Sequence, residues 1–283
     1  MREDGGLIRK QPIIFSGKAK KMGKVIAIVN QKGGVGKTTT AVNLGAGFVR
    51  KGFKVLMIDM DIQADLTLAL GYKFPDELKY TVVNVMSLAL RGEPIDSKKG
   101  ILINNENIAL LPTNVRMQGF EDGLGTARAN EFLLSEFVNL ARKDYDYILI
   151  DCSPSLGVMT RNALVAADSV LIPVEPEYFA LRGLAVMMNM ISAIRQETNN
   201  KLCVEGILVV RRDNRAHYRR DIVVALRESY GDRNLVYQTE LPYSVRATES
   251  ADLGISLFAY QRWCKLARAY KRFVDEVVRA NEH

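Results

Sequence analysis

Short apolar runs, separated by longer stretches of mixed polarity, recur along the chain. Each run has the length and residue types of a strand buried on both faces, and the runs lie at residues 25–29, 55–58, 108–111, 147–150, 170–174 and 206–210. In the stretches between them apolar residues recur every three or four positions, as Ala41, Leu44 and Phe48 do. This pattern predicts an α/β fold, with a mostly parallel twisted sheet and helices on both faces.

One long helix is predicted near the end of the chain, over residues 259–280. Its apolar stripe should pack on the body of the protein and consists of Trp263, Leu266, Tyr270, Phe273, Val274 and Val277. A second row on the helix is basic and consists of Arg262, Lys265, Arg268 and Arg272. Such a row is usually a solvated helix face, but this one is nearly free of acidic residues, so a polyanion-binding face is an equal alternative.

Composition limits the class of protein. The 283 residues, 48% of them hydrophobic, suffice for one large core, so we predict a basic extension over residues 1–23 and a single domain over residues 24–283. We find no apolar segment long enough to span a bilayer and no apolar core of a signal peptide, which favours a cytoplasmic protein. Cys152, Cys203 and Cys264 have neither metal-site nor redox-pair spacing and should be reduced thiols in the core.

A glycine-rich loop lies between the first predicted strand and the first predicted helix. It reads QKGGVGKTT over residues 31–39, with glutamine where an ordinary phosphate-binding loop has its first glycine. Backbone N–H groups at the start of a helix favour phosphate. Lys37 should contact the β- and γ-phosphates and the Thr38 hydroxyl should bind Mg²⁺. The predicted nucleotide-binding residues are Lys32, Gly33, Gly34, Val35, Gly36, Lys37, Thr38 and Thr39.

Acidic residues follow two of the predicted strands. Asp151 comes directly after the strand at 147–150 and is expected to hold Mg²⁺ through water. Asp59 and Asp61 follow the strand at 55–58, and their spacing places them on the same side of an extended chain. Carboxylates at the carboxyl ends of neighbouring parallel strands can serve a metal and an attacking water. Asp59 is a possible further metal ligand, although any of the three could instead cap the next helix.

Four segments, taken in order, identify a family resemblance. They are residues 32–39 (KGGVGKTT), 59–63 (DMDIQ), 147–157 (YILIDCSPSLG) and 172–184 (IPVEPEYFALRGL). Together they resemble the ParA-type partition ATPases, which belong to the deviant-Walker-A group that also contains MinD. The resemblance extends from about Lys24 to the final helix.

The resemblance implies an ATP- and Mg²⁺-dependent ATPase that forms a nucleotide-sandwich homodimer. In the family, the lysine that matches Lys32 reaches the phosphates bound by the other subunit, where a cation would stabilise the charge of the departing γ-phosphoryl group. Lys32, Lys37 and Asp61 are the implied catalytic residues, and Asp61 positions the hydrolytic water. The base should lie near Arg211 and the turn at residues 241–245.

The sequence departs from the family pattern near two of these motifs. Ile62 and Ala64 stand where proline and glycine are common after D-x-D, and Ser153 stands where proline is common. Glu175 and Arg182 occupy positions usually held by glutamine and glutamate. No catalytic group is lost, but the loop after the D-x-D motif is expected to have a different shape.

Positive charge is concentrated in three segments. The chain has a net charge of +7, but residues 1–24, 211–220 and 259–283 together carry +12, so the remainder carries −5. This separation favours a polyanion partner. Family members bind double-stranded DNA non-specifically as ATP dimers, and the predicted DNA contacts are Arg246, Arg215, Arg219, Arg220, Lys265 and Arg268. We find no base-reading module in the sequence, so phosphate contacts are expected.

The resemblance also implies a ParB-like activator of slow hydrolysis and association with the nucleoid. The sequence leaves three kinds of cargo as alternatives, namely a plasmid, a chromosome origin and a protein assembly. The main alternative is a MinD-like membrane-cycling ATPase, but the tail after Val277 is too polar for a membrane helix. An iron–sulfur protein would need a second cysteine to pair with Cys152, and a small-molecule kinase or amidoligase-type synthetase of the same fold would need a substrate pocket.

Overall fold

The computed structural model describes residues 22–125, 128–212, 217–231 and 235–281. The expected N-terminal extension lies outside the described residues except for Met22 and Gly23, and Arg215 also lies outside them. Cys152, Cys203 and Cys264 are free thiols, but the prediction that they lie in the core is right only for Cys152, because Cys203 is exposed and Cys264 is half-buried.

Seven strands of the described chain form one sheet. They are β1 (Lys24–Ile28), β2 (Val55–Met60), β3 (Leu102–Ile103), β4 (Ala109–Leu111), β5 (Tyr147–Cys152), β6 (Ser169–Val174) and β7 (Cys203–Val209). Their order across the sheet is β3-β4-β2-β5-β1-β6-β7. Every neighbouring pair is parallel except the edge pair β3 and β4. The mostly parallel sheet is confirmed, and only the two-residue strand β3 was not predicted.

Helices of the described residues cover both faces of the sheet. They are α1 (Lys37–Arg50), α2 (Asp65–Ala69), α3 (Val82–Leu90), α4 (Arg116–Leu124), α5 (Ser135–Ala141), α6 (Val158–Ala166), α7 (Ala180–Glu197), α8 (His217–Tyr230), α9 (Arg246–Asp252), α10 (Leu257–Gln261) and α11 (Lys265–Asn281). Short 3₁₀ helices lie at Pro75–Glu77 and Arg128–Glu131. Helices α1, α2, α9, α10 and α11 pack on one face, and α3 to α8 pack on the other.

The strands are apolar on both sides because each face of the sheet has its own core. In β1, Val25 and Ala27 contribute to the core on the α3 to α8 side, while Ile26 and Ile28 contribute to the core under α1 and α11. Every residue of β2, β5 and β6 is buried. A strand covered on both faces needs a continuous apolar run, which is the pattern that the sequence carries.

Helix α11 packs against α1 at close range. A Cβ atom on Gly47 of α1 would lie 2.3 Å from Cγ2 of Val274, so only glycine permits this approach. Most of the predicted apolar stripe is buried here, namely Leu266, Tyr270, Phe273, Val274 and Val277. Among the residues that the structure describes, no helix has both the length and the apolarity needed to cross a bilayer.

The single helix predicted over residues 259–280 is wrong at its start. The chain forms two helices, α10 and α11, and leaves the helical path between them at residues 262–264. The Sγ atom of Cys264 accepts the N–H of Ala267 at 3.3 Å, which begins α11 anew. Trp263, predicted in the buried stripe, is therefore 73% exposed, with the Arg262 guanidinium 5.0 Å from its ring centroid.

Candidate active site

The glycine-rich loop joins β1 to α1 at the carboxyl edge of the sheet. Gly34 and Gly36 have φ angles of 69° and 83°, which glycine adopts without strain. A Cβ on either residue would meet no atom within 4 Å. The backbone conformation, and not crowding, therefore requires glycine at these two positions.

Helix α1 begins directly from this loop and has no side-chain cap. Gly36 is its N-cap residue, and the Gly36 carbonyl accepts the N–H of Thr40 at 2.9 Å. Uncapped N–H groups and the helix dipole favour an anion at this point. Lys37 is buried at the same place, and its Nζ lies 3.4 Å from the carbonyl oxygen of Lys32. The uncapped helix start and the buried Lys37 ammonium group are thus suited to a phosphate group.

Asp151 lies in β5 with its carboxyl group fully buried, and neither oxygen makes a hydrogen bond of ordinary geometry within the described chain, although the Thr38 hydroxyl is near. Burial, followed by the nearby charge of Asp59, raises the pKa of Asp151 well above its ordinary value, while the Thr38 hydroxyl and Lys37 oppose this shift. A buried carboxyl group without a partner is costly. A cation beside Thr38 would satisfy it.

Asp59 is the partner of Asp151 in the register of β2 and β5. Its Oδ2 accepts the backbone N–H of Thr67 at 2.9 Å and the Thr67 hydroxyl at 2.7 Å, and its Oδ1 accepts the N–H of Asp61 at 3.1 Å. Burial raises the pKa of Asp59 to about 7. Thr67 lies in the first turn of α2, so the contacts match the helix-capping alternative, and a metal-binding role for Asp59 stays a prediction.

Asp61 lies two residues beyond Asp59 and is 7% exposed. Its Oδ1 accepts the N–H of Gln63 at 3.1 Å, which orders the turn into α2. Ala64 closes that turn with a φ of 55°, the left-handed conformation that favours glycine. Ala64 is thus strained at a position where the family commonly has glycine, and a loop shape different from that of the family stays a prediction.

The Lys32 side chain binds carboxylates of its own chain. Its Nζ lies 2.6 Å from Oε2 of Glu177 and 3.2 Å from Oε2 of Glu175. Burial alone would lower the pKa of Lys32, but the hydrogen bonds to Glu177 and Glu175 outweigh it and raise that pKa. The Lys32 side chain is still 46% exposed, so it lies at the open side of the site.

A cavity of 410 Å³ opens beside the loop. Its lining includes Gly34, Thr38 and Thr39, together with Arg211 and the turn at residues 241–244. The guanidinium Nη1 of Arg211 donates to the Gly34 carbonyl at 2.9 Å, which ties this wall to the loop. The two segments that the resemblance predicts near the base therefore line one cavity with the phosphate loop.

A basic groove adjoins this cavity. It has a volume of 480 Å³, and its lining comprises Arg212, Lys265, Arg268 and Arg272, with Glu240 and Pro242. Pro242 also lines the loop cavity, so the two spaces share a wall. Arg212 pairs with Glu240. Within the described residues, Lys265, Arg268 and Arg272 have no ion-pair partner, and all three are exposed.

The other predicted DNA contacts lie outside this groove. Arg246 pairs with Glu249 in its own helix, with Nη1 and Oε2 2.7 Å apart. Arg219 lies 3.5 Å from Oε1 of Glu175, and Arg220 is exposed on α8. Their roles in DNA binding stay predictions, as does that of Arg215, which is not among the described residues.

Comparison with known proteins settles the family. A family model described as "AAA domain" matches residues 23–204. The chain is 37% identical to the sporulation initiation inhibitor protein Soj of Bacillus subtilis, over 90% of this chain and 98% of Soj. It is 33% identical to the chromosome-partitioning ATPase Soj of Treponema pallidum, over 91% of this chain and 98% of that protein. The chain belongs to the ParA-type partition ATPases.

A solved structure agrees with this assignment in its fold and its ligands. Cobyrinic acid a,c-diamide synthase from Mycobacterium smegmatis, with a bound ATP analogue and magnesium, has a TM-score of 0.78 and 33% identity over 91% of this chain and 94% of that one. The ParA-type chain is an ATPase, and its cofactors are ATP and Mg²⁺.

The site of this ParA-type ATPase fits Mg²⁺ with phosphate. Within the described ranges, no three His, Cys, Asp or Glu side chains form a group that could hold a metal alone. The unpartnered Asp151 carboxyl beside Thr38 supplies the negative charge and oxygen atoms that a hard cation prefers. Bound Mg²⁺ would neutralise charge that develops on the phosphates.

Three contacts of the ParA-type site are not predicted by the sequence. Two join Lys32 to Glu175 and Glu177, for which the unusual glutamate at 175 is a signal. The third is the bond from Arg211 to the loop. The contacts of Lys32 and of Arg211 depend on which loops the strand order brings together. A single sequence motif does not reveal that order.

Proposed function

We propose that this protein is a positioning ATPase that binds DNA as an ATP dimer and leaves it after hydrolysis. The basic groove carries this proposal, because it shares a wall with the nucleotide cavity at Pro242. A movement of the turn at residues 241–244 on ATP binding would change the shape of the groove that Lys265 and Arg268 line. Exposed cations of this kind suit the phosphate backbone and give affinity without base recognition.

The catalytic assignment follows the site. Lys37 and the N-terminus of α1 hold the β- and γ-phosphates, Thr38 binds Mg²⁺, and Asp151 supports that ion through water. Asp61 orients the water that attacks the γ-phosphate, which leaves ADP and inorganic phosphate. Lys32 serves the nucleotide of a second copy of the chain, and its exposed position supports this role.

The cycle needs a partner that stimulates hydrolysis. We infer a ParB-like activator on the cargo, with the ATP dimer held on nucleoid DNA in the cytoplasm until the activator meets it. The names of the Soj relatives support chromosome partition as the process. A plasmid or a protein assembly as cargo would use the same cycle.

A second candidate is an amidoligase-type synthetase. The name of the Mycobacterium smegmatis neighbour favours it, since that protein is called a diamide synthase. Steady-state ATP turnover separates the two functions. We expect stimulation by duplex DNA together with the ParB-like protein of the same organism, and no stimulation by glutamine with a cobyrinic acid substrate. The opposite pattern would replace the partition function with the synthetase function.

A further inference from the structure

Lys32 is held by a buried carboxylate that also serves two arginines. Glu175 is 9% exposed, and its oxygens lie 3.2 Å from Nζ of Lys32, 3.6 Å from Nη1 of Arg211 and 3.5 Å from Nη1 of Arg219. Glu177 adds a second carboxylate to Lys32 at 2.6 Å and lies 3.8 Å from Nη2 of Arg219. Two acids and three cations thus form one network at the open side of the nucleotide site.

The order of the strands builds this network. Because β1 and β6 are neighbours, the segments that leave their carboxyl ends run side by side. The side chain of Asn30 joins them, since its Nδ2 donates to the Pro173 carbonyl at 2.6 Å and its Oδ1 accepts the N–H of Lys32 at 2.9 Å. Lys32 is therefore fixed beside Glu175, two residues beyond Pro173, before any partner is present.

The same ammonium group cannot serve its own carboxylates and a second subunit at once. We propose that Glu175 and Glu177 are positioning residues that hold Lys32 in its own subunit and release it when a second ATP-bound copy closes on the loop. The inference rests on the proposed function, which assigns Lys32 to the partner's nucleotide. The unusual glutamate at position 175 makes this hold stronger than a neutral glutamine would.

Glu175 and Glu177 keep a cationic partner when Lys32 is released. Arg219 contacts both Glu175 and Glu177, and Arg211 contacts Glu175, so both carboxylates keep a cation when the lysine leaves. A buried acid that lost its only partner would oppose release strongly. The two arginines lower the free-energy cost of releasing Lys32. Glu175 and Glu177 then compete reversibly with the phosphates bound by the partner subunit for the Lys32 ammonium group.

The test measures self-association of the full-length protein by sedimentation velocity, with saturating non-hydrolysable ATP analogue and Mg²⁺. Glu175→Gln should lower the dimer dissociation constant about 2- to 5-fold, the effect expected for losing a partly exposed ion pair. Glu177→Gln should shift it in the same direction, and Glu175→Asp should remain close to the wild type. Glu93→Gln is the matched control, because Glu93 is exposed and, within the described residues, forms its ion pair with Arg91 alone.

The variant Lys32→Ala distinguishes the hold on Lys32 by the two glutamates from the role of Lys32 at the partner's nucleotide. If Lys32→Ala abolishes the dimer while Glu175→Gln and Glu177→Gln dimerise no better than the control, the hold on Lys32 is disproved and the proposed function stands. If Lys32→Ala dimerises as the wild type does, the assignment of Lys32 to the partner fails, and the inference fails with it. Thermal unfolding identifies a misfolded Glu175→Gln, in which case the more exposed Glu177→Gln decides.

Discussion

Asp59 and Asp151 face each other across β2 and β5, and both carboxyl groups are completely buried. Burial raises the pKa of Asp59 to about 7. Burial and the charge of Asp59 raise the pKa of Asp151 well above its ordinary value. Without a cation, the folded protein therefore favours protonation of this pair.

The apoprotein should lose stability as the pH rises. The folded pKa of Asp59 is above the ordinary 3.8, so the folded state binds more protons between pH 4 and about 7 and is destabilised across that interval. For Asp59 alone the loss is up to about 4 kcal/mol. The free energy of unfolding, measured by urea denaturation with EDTA at pH 5 and pH 8, checks this.

The variant Asp59→Asn supplies the comparison for that measurement. It should show a smaller decrease in unfolding free energy between pH 5 and pH 8 than the wild type. Asp144→Asn, at an exposed site, should behave as the wild type does. Equal pH dependence in all three proteins would contradict the protonation of the buried pair.

Removal of the Asp151 charge should weaken magnesium binding more than nucleotide binding. Loss of a carboxylate that supports a metal through water typically costs 10- to 100-fold in metal affinity. We expect Asp151→Asn to raise the Mg²⁺ concentration for half-maximal ATP hydrolysis by about that factor. Nucleotide affinity in EDTA should change little, and an unaltered Mg²⁺ dependence would count against the assignment of Asp151.

Ala64→Gly should stabilise the protein. Ala64 has a φ of 55°, where a Cβ atom costs about 1–2 kcal/mol, whereas glycine avoids this strain but loses about 0.5–1 kcal/mol more backbone entropy on folding. The unfolding free energy should therefore rise by up to about 1 kcal/mol. Ala89→Gly in helix α3 is the control and should lose about 0.5–1 kcal/mol, because its backbone is helical. A loss at both positions would show that Ala64 is not strained.

The strands and the phosphate loop were predictable because their signals are local. A strand buried on both faces must be apolar throughout, and Gly34 and Gly36 meet a backbone requirement that appears directly in the sequence. Trp263 was misplaced because a periodic pattern does not reveal that the chain leaves the helix for three residues. The binding of Lys32 to Glu175 depends on β1 and β6 being neighbours, which only the assembled sheet determines.

Single cations of the groove should add to DNA affinity in a salt-dependent way. Arg268→Ala should weaken binding of duplex DNA of any sequence and reduce the log–log salt slope by about 1. Arg279→Ala, on the same helix but outside the groove lining, is the control. Fluorescence anisotropy over a salt series measures the DNA affinity and its salt slope. Equal slopes for the two variants would show that the groove does not contact DNA.

The most direct measurement of the central claim is DNA binding in each nucleotide state, by anisotropy with ATP, with ADP and without nucleotide. The wild type should bind tightly only with ATP. Asp61→Ala should bind and persist, because it keeps the dimer but cannot orient the attacking water, whereas Lys32→Ala should fail to bind in every state. Equal DNA affinity with ATP, with ADP and without nucleotide would contradict an ATP-controlled DNA-binding dimer.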